Sequence, residues 1–273
     1  KIIQKKRKNI NFYIGYSSER INPGDKIHNI RNIPKVVSID SNKKVISSVK
    51  KVYKNVSKKI VFTKKINEAE LSKLIENTQR DLNIGLMNEI MILCEKANLD
   101  FNEVIRLANT KWNFLNFKPG LVGGHCLPVD PYYLSHISRK YNLKMEILLA
   151  GRKVNNQMES YIYKKIINEL KKNRLSLKSK LLIAGESYKP NVGDQRNSIA
   201  QKIILKIFKI NKKIKVFDPT IDNKFFYKKY RIDKINVKDR FHAIIQLVNH
   251  DDGKREIQKY LKFNKRTVFI KLF

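Results

Sequence analysis

The residues best suited to chemistry stand together in Lys118-Pro-Gly-Leu-Val-Gly-Gly-His-Cys-Leu-Pro-Val-Asp-Pro-Tyr-Tyr-Leu134, where glycines frame Cys126 and Asp130 follows it. Gly120, Gly123 and Gly124 let main-chain amides approach a ligand closely, while Pro119, Pro128 and Pro131 stiffen the presentation of the cysteine. A thiol held in this way is suited to nucleophilic attack on a carbonyl carbon. Asp130 can cap the helix expected after Pro131. The alternative for Cys126 is a structural cysteine beside an ordinary Gly/Pro turn. Lys73 and Asn77 lie four residues apart on a predicted helix, so their side chains share a face and can converge on one reacting oxygen. The same spacing also suits two solvated surface residues. The five histidines show no metal-ligand spacing, and His125 beside Cys126 does not make a metal site, so none is expected.

The elements that must position these residues fall into three stretches. Up to about residue 63, short apolar runs alternate with polar turns. Ile10–Ile14, Lys35–Ile39 and Lys59–Thr63 read as strands and Ser41–Lys54 as a helix, a βαβ remnant too small to bury both faces of a sheet. It is expected to be the least stable region. From Asn67, a candidate N-cap with Glu70 three positions on, the pattern becomes helical, with a stripe of Leu71, Leu74, Ile75, Leu82, Leu86, Ile90 and Leu93. Further helices are expected over 100–109, after Pro131, and over 145–171. The last hundred residues return to β/α alternation. Lys180–Ala184, Lys213–Phe217, Ala243–Val248 and Val268–Leu272 are candidate parallel strands, Ser198–Ile210 is an intervening helix, and Asp218-Pro219 follows a strand end.

Two cysteines in unlike contexts, Cys94 and Cys126, argue for reduced thiols and a cytoplasmic protein. The net charge of +34 on 273 residues would suit nucleic acid or an anionic membrane. However, the lysines fall in every segment and form no localised basic face with interleaved aromatics, so no specific nucleic-acid partner is expected. No apolar run is long enough to span a bilayer, and the basic start is followed by neither an apolar segment nor a cleavage site, so no signal peptide is expected.

Together with its flank from Asn109, the cysteine loop resembles that of the UDP-glucose/GDP-mannose dehydrogenase family, and is most similar to the branch oxidising UDP-N-acetylhexosamines for capsular and surface polysaccharide. Four more blocks resemble that family in its own order: Gly15-Tyr-Ser-Ser-Glu-Arg-Ile-Asn-Pro-Gly-Asp25, Lys73-Leu-Ile-Glu-Asn-Thr-Gln-Arg-Asp-Leu-Asn83, Gly151-Arg-Lys-Val-Asn-Asn156 and Tyr188-Lys-Pro-Asn-Val-Gly-Asp-Gln-Arg-Asn-Ser198.

The resemblance implies an α/β protein in three parts: a remnant of an N-terminal Rossmann domain (1–63), an all-helical central and dimerisation section (64–175) and a C-terminal Rossmann-like parallel-sheet domain that binds the UDP-sugar (176–273). It implies oxidation of the C6 alcohol of a UDP-sugar to the acid with NAD. Cys126 would be the nucleophile, Lys73 and Asn77 would stabilise the oxyanion or orient water, and Asp130 and Glu19 would position water or substrate. Lys118, Gly120, Gly123, Gly124 and Lys189 would hold the UDP-sugar, and Arg196 would face the dinucleotide. Lys118 stands where near relatives often carry arginine, Ser18 where proline is more usual, and Glu186 where an apolar or hydroxyl residue is expected. No G-x-G-x-x-G turn occurs, and the sequence opens where the family would be completing its first domain, so a form lacking most of the NAD-binding half is expected. The rival readings are a remnant that retains only UDP-sugar binding or dimerisation, and a basic nucleic-acid-binding protein.

Overall fold

A computed structural model describes residues 12–25, 27–39, 43–221 and 230–273. The chain divides into two compact units, Lys1–Glu76 and Asn77–Phe273, and the division falls inside one helix.

The first unit holds β1 (Gly15–Ser17), β2 (Lys35–Ile39), α1 (Lys43–Lys54), β3 (Ile60–Thr63) and the start of α2 (Ile66–Ala97). Central β2 pairs antiparallel with β1 and parallel with β3, so β2-α1-β3 is the βαβ unit that the apolar runs predict. Two expectations are corrected. Of the strand expected over 10–14, residues 10 and 11 lie outside the described residues and 12–14 are not strand; the pairing segment begins at Gly15. Gly15 closes up on β2, where an added Cβ would stand 2.8 Å from the Ser38 carbonyl oxygen. The helix begins at Ile66, so Asn67 lies inside its first turn and is not the cap. Positions 41 and 42 of the expected helix also lie outside the described residues.

The second unit continues α2 and adds α3 (Phe101–Ala108), α4 (Asp130–Arg139), α5 (Glu146–Lys172), β4 (Leu181–Ala184), α6 (Ile199–Ile210), β5 (Lys215–Phe217), β6 (Arg231–Ile232), β7 (Ala243–Gln246), α7 (Asp251–Phe263) and β8 (Val268–Lys271). The five strands form a parallel sheet in the order β6-β5-β4-β7-β8. Period-two alternation sends Leu181, Ile183, Ala243 and Ile245 to one face, against Met158, Ile162, Ile166 and Leu170 of α5 and Ile203, Ile204 and Ile207 of α6. Leu182, Ala184 and Ile244 face the other way, against Ile257 and Tyr260 of α7. The side chains on α5 recur every fourth residue and are almost wholly buried, each contributing about 1.5–3 kcal/mol. Ser198 caps α6 by accepting from the Gln201 amide, and Asp100 caps α3 by accepting from the Asn102 amide. Neither β6 nor α7 was anticipated from the sequence.

The buried face of α2 in this unit is not the leucine stripe. Leu86 and Leu93 are exposed, whereas Asn77, Asp81, Met87, Asn88, Met91 and Cys94 are buried. This inward face is half polar, and its polar residues connect to the cysteine loop.

Candidate active site

Within the second unit, the cysteine loop is fixed from three sides. Asn88 on α2 holds Gly120: its Oδ1 accepts from the Gly120 amide at 2.9 Å and its Nδ2 donates to the Gly120 carbonyl at 3.1 Å. Gly123 and Gly124 lie against residues 188–198. A Cβ on Gly123 would stand 2.9 Å from the Asn197 carbonyl oxygen, and one on Gly124, at φ +85°, would stand 3.1 Å from the Tyr188 ring. Downstream, the Cys126 carbonyl accepts from the amides of Val129 and Asp130, which turns the chain into α4. Between these anchors the Cys126 side chain is exposed, whereas Cys94 is buried.

Asn77 and Asp130 meet. Asn77 Nδ2 donates to Asp130 Oδ2 at 2.5 Å, from a residue that is only 4% exposed. A hydrogen bond to a charged group contributes about 1.5–3 kcal/mol. Asp130 does not cap α4, because Val129 is the N-cap position and no side chain caps that helix. The carboxylate is used on Asn77 and not on the helix end.

On the facing loop, Arg196 is ion-paired to Asp194 at 2.7 Å. Hydrogen bonding from the Arg196 guanidinium holds the Asp194 carboxyl below its ordinary value against the opposing effect of burial, and His125 adds a smaller pull in the same direction. Burial pushes the Tyr188 phenol up, and the nearness of Asp194 and Cys126 adds to this. Arg196 is raised first by Asp194, with Cys126 among the lesser causes, so the thiol lies within electrostatic reach of both Tyr188 and Arg196. Lys189 Nζ stands 5.8 Å from the centroid of the Tyr188 ring. Lys118 is exposed.

Behind these loops, the carboxyl ends of the strands are tied by Asp218. Its Oδ2 accepts from the amides of Glu186 and Ser187, and Oδ1 accepts from the Thr220 hydroxyl. His250 Nε2 lies 3.1 Å from both Asp218 and the Ser187 hydroxyl, while Nδ1 accepts from the Asn191 amide. Ser187, His250 and Asp218 therefore do not form a hydrolytic relay, because both partners share one ring nitrogen and the other is occupied by main chain. Against burial, the His250 and Thr220 side chains and the Glu186 amide hold the Asp218 carboxyl far below its ordinary value. Glu186, the departure from the expected pattern, is fully buried and ion-paired with Arg231 at 2.7 Å. It turns into the fold, and Gln201 donates to its other oxygen at 3.3 Å.

In the first unit, Glu19 accepts from the amides of Arg20 and Ile21 and pairs with Lys35 at 3.1 Å. Burial pushes its carboxyl up, but the Ile21 amide and the Lys35 ammonium outweigh that and leave it below its ordinary value. Lys73 is half-buried on α2.

A cleft of about 570 Å³ opens elsewhere, near the amino ends of β7 and β8, lined by Arg240, His242, Phe263 and Arg266 among others, and none of the residues above lines it. No group of three His, Cys, Asp or Glu suited to a metal occurs among the described residues.

Two family models match the chain: the UDP-glucose/GDP-mannose dehydrogenase family central domain over residues 67–157 and the UDP binding domain of the same family over 182–272. The chain belongs to this family. The central-domain match spans the pair of Asn77 and Asp130 together with Cys126, and the UDP-binding match spans the sheet from the second residue of β4 onward. Among similar proteins, the UDP-N-acetyl-D-glucosamine 6-dehydrogenase of Salmonella typhi is 41% identical over 90% of this chain and 59% of its own length. Protein CapL of Staphylococcus aureus is 41% identical over 93% of this chain and 61% of its own. The solved structure of UDP-D-ManNAc dehydrogenase from Pyrococcus horikoshii superposes with a TM-score of 0.79 at 26% identity, covering 98% of this chain and 63% of that one. The chain thus spans about three-fifths of the length of the relatives it matches.

Several residues with consequences for the loop were not singled out from the sequence: Asn88, Asp81, Arg152, Asn155 and Tyr188. A signal for the first two was present, since Asn77, Asp81 and Asn88 fall on one side of a helix at steps of four and seven.

Proposed function

We propose that this chain carries the thiol and UDP-sugar chemistry of a cytoplasmic nucleotide-sugar 6-dehydrogenase, acting at C6 of a UDP-N-acetylhexosamine to supply the uronic acid for surface polysaccharide. The observation that carries the reading is the hydrogen bond from Asn77 to Asp130 at the foot of the loop that presents Cys126. In this reading Cys126 sulfur adds to the C6 aldehyde, an S–C bond forms, and the carbonyl electron pair moves onto oxygen. The thiohemiacetal becomes a thioester only when C6 gives up a hydride to a separate acceptor; at that thioester Asp130 would take a proton from water, the water oxygen would bond to C6 and the thiolate would leave, with Asn77 fixing the carboxylate. Lys73 would steady the oxyanion and Glu19 would orient water or substrate. Lys118, Lys189 and the main chain at Gly120, Gly123 and Gly124 would hold the UDP-sugar.

The hydride acceptor implied by the resemblance is NAD, and the residues present do not fit a dinucleotide site. The sequence has no G-x-G-x-x-G turn, and the one residue assigned to it, Arg196, is tied to Asp194. The division into 1–63, 64–175 and 176–273 is part of the proposal and is supported by the bounds of the two family models. A homodimer through the helical section is supported by the side chains exposed there, with Trp112 at 89%, Ile147 at 79% and Tyr141 at 78%.

The test is calorimetry with UDP, a UDP-N-acetylhexosamine and NAD across a salt series, because a chain of net charge +34 attracts any polyanion weakly. UDP-sugar heat that persists at high salt supports the reading. Binding that disappears with salt for every ligand overturns it.

A further inference from the structure

A buried chain of amide side chains joins α5 and α2 to the cysteine loop. Arg152 pairs with Asp81 in the interior, both side chains at most 3% exposed. Asn155 Nδ2 donates to two oxygens of Asp81, the main-chain carbonyl and Oδ1, each at 2.8 Å. Asn155 Oδ1 in turn accepts from Asn88 Nδ2 at 3.0 Å. The directions in this chain are not interchangeable. Because the Asp81 carbonyl can only accept, the donor end of the Asn155 amide must face it, so its oxygen faces Asn88. Asn88 must then present Nδ2 to Asn155, which leaves Oδ1 for the Gly120 amide, while the second Nδ2 hydrogen reaches the Gly120 carbonyl. All three hydrogen-bonding contacts of the Asn88 side chain are used, two of them on one residue of the loop.

We propose that Asn88 is a positioning residue for the thiol loop, acting through the main chain of Gly120, with the orientation of its amide set by Asn155 and Asp81. Gly120 has no side chain to pack, and an added Cβ there would meet nothing within 4 Å; its two main-chain bonds to Asn88 are the hydrogen bonds that fix it. Packing resumes at the next residue, Leu121, which lies against the core, and continues at buried Val122 and at Gly123 and Gly124. Asn88 therefore supplies the upstream fixed point and the start of α4 the downstream one, and Cys126 is displayed between them. The two family blocks around Lys73–Asn83 and Gly151–Asn156 meet in this network. Glycine at 151 belongs to it, since α5 passes so near α2 that a Cβ there would come within 2.4 Å of Leu82 Cδ2.

The inference rests on the proposed reading only for the purpose of the loop. Its test uses amide hydrogen exchange and thiol alkylation on the whole chain, and neither depends on turnover or on which sugar binds. In the unsubstituted protein the Gly120 amide is expected to exchange at least about tenfold slower than an open amide. An unprotected Gly120 amide overturns the proposal without any variant. In Asn88→Leu, which keeps the side-chain size but removes all three contacts, Gly120 exchange is expected to quicken about tenfold and Cys126 alkylation by iodoacetamide to change about threefold or more. The amides of Ile183 and Ile245 in the sheet should keep their protection. Unchanged Gly120 exchange and unchanged Cys126 alkylation in that variant overturn the proposal. Asn155→Ala leaves the Gly120 contacts in place and should move the same two readouts in the same sense by less. A larger effect from Asn155→Ala than from Asn88→Leu overturns the assignment to Asn88. Failure of UDP to bind would count against the dehydrogenase reading and leaves these exchange results as the judge of the anchor.

Discussion

Arg231→Leu is expected to be among the most damaging single substitutions in the second unit. Glu186 is 0% exposed and Arg231 side chain 5%, and the pair joins the end of β4 to the edge strand β6. Arg231 Nε donates to Glu186 Oε2 at 2.7 Å, and Nη2 at the same separation completes the ion pair without hydrogen-bond alignment. Removing the guanidinium leaves a buried carboxylate with one 3.3 Å hydrogen bond from Gln201 as its remaining side-chain partner. Breaking a buried pair in this way costs about 3–5 kcal/mol, whereas replacing both members with apolar residues of similar volume is often neutral or stabilising. The double variant Glu186→Leu/Arg231→Met should therefore be markedly more stable than Arg231→Leu alone. For a unit of this size, 1 kcal/mol moves the melting temperature by about 2–4 °C, which gives a loss of roughly 6–20 °C for the single variant. Urea unfolding followed by exchange at Leu182 and Ile244 would read the cost in the sheet itself. A loss below about 1 kcal/mol for Arg231→Leu would refute the reasoning, because it would mean that the carboxylate is not left without partners.

Gly185→Ala should cost the second unit about 2–4 kcal/mol in denaturant unfolding, since Gly185 has φ +88° and a Cβ would lie 2.5 Å from the Val248 carbonyl oxygen, a main-chain atom that cannot swing aside. The Asp218 carboxyl is held below its ordinary value, so the folded state binds fewer protons than the unfolded state as that group titrates. Its stabilisation is complete above the unfolded value of about 3.9 and is lost as pH falls below it, so Asp218→Asn should flatten the acid limb of a stability-against-pH curve. Of the two thiols, Cys126 should react quickly with a disulfide reagent in the folded protein and Cys94 only after unfolding, as peptide mapping would show. Cys126→Ser, in any form of the protein that turns over, should stop carboxylate release while UDP-sugar binding persists, because an alkoxide leaves far less readily than a thiolate.

The parts of this fold that were legible in the sequence are those governed by local period. The strands β4, β7 and β8 showed as short apolar runs, α5 and α6 as sustained helical spacing, and the glycine-framed cysteine by composition alone. α7 escaped because its inward face is only Gly253, Ile257 and Tyr260 amid charged residues, and β6 because it is two residues long. The leucine stripe on α2 gave the right element and the wrong inward face, since the polar side of that helix is buried by partners far along the chain. The same non-locality hid the pairs Asp81–Arg152 and Glu186–Arg231, whose members lie 71 and 45 residues apart and show no spacing a helix or strand would impose. That Asp130 does not cap α4 also needed three dimensions, because a carboxylate just before Pro131 could equally have capped the helix or turned away from it.

The contact between Gly123-Gly124 and the loop of residues 188–198 constrains how this protein can change. A side chain at 123 would press on the Asn197 carbonyl and the Tyr188 Cβ at 2.9 and 3.0 Å, so neither segment can gain bulk unless the other yields. The two loops are 60-odd residues apart in the chain yet must be inherited, or transplanted, together. A chimera that exchanges residues 118–130 alone with a relative whose 188–198 segment differs would carry a thiol on a loop that no longer seats, whereas exchanging both segments would carry the seat along with it.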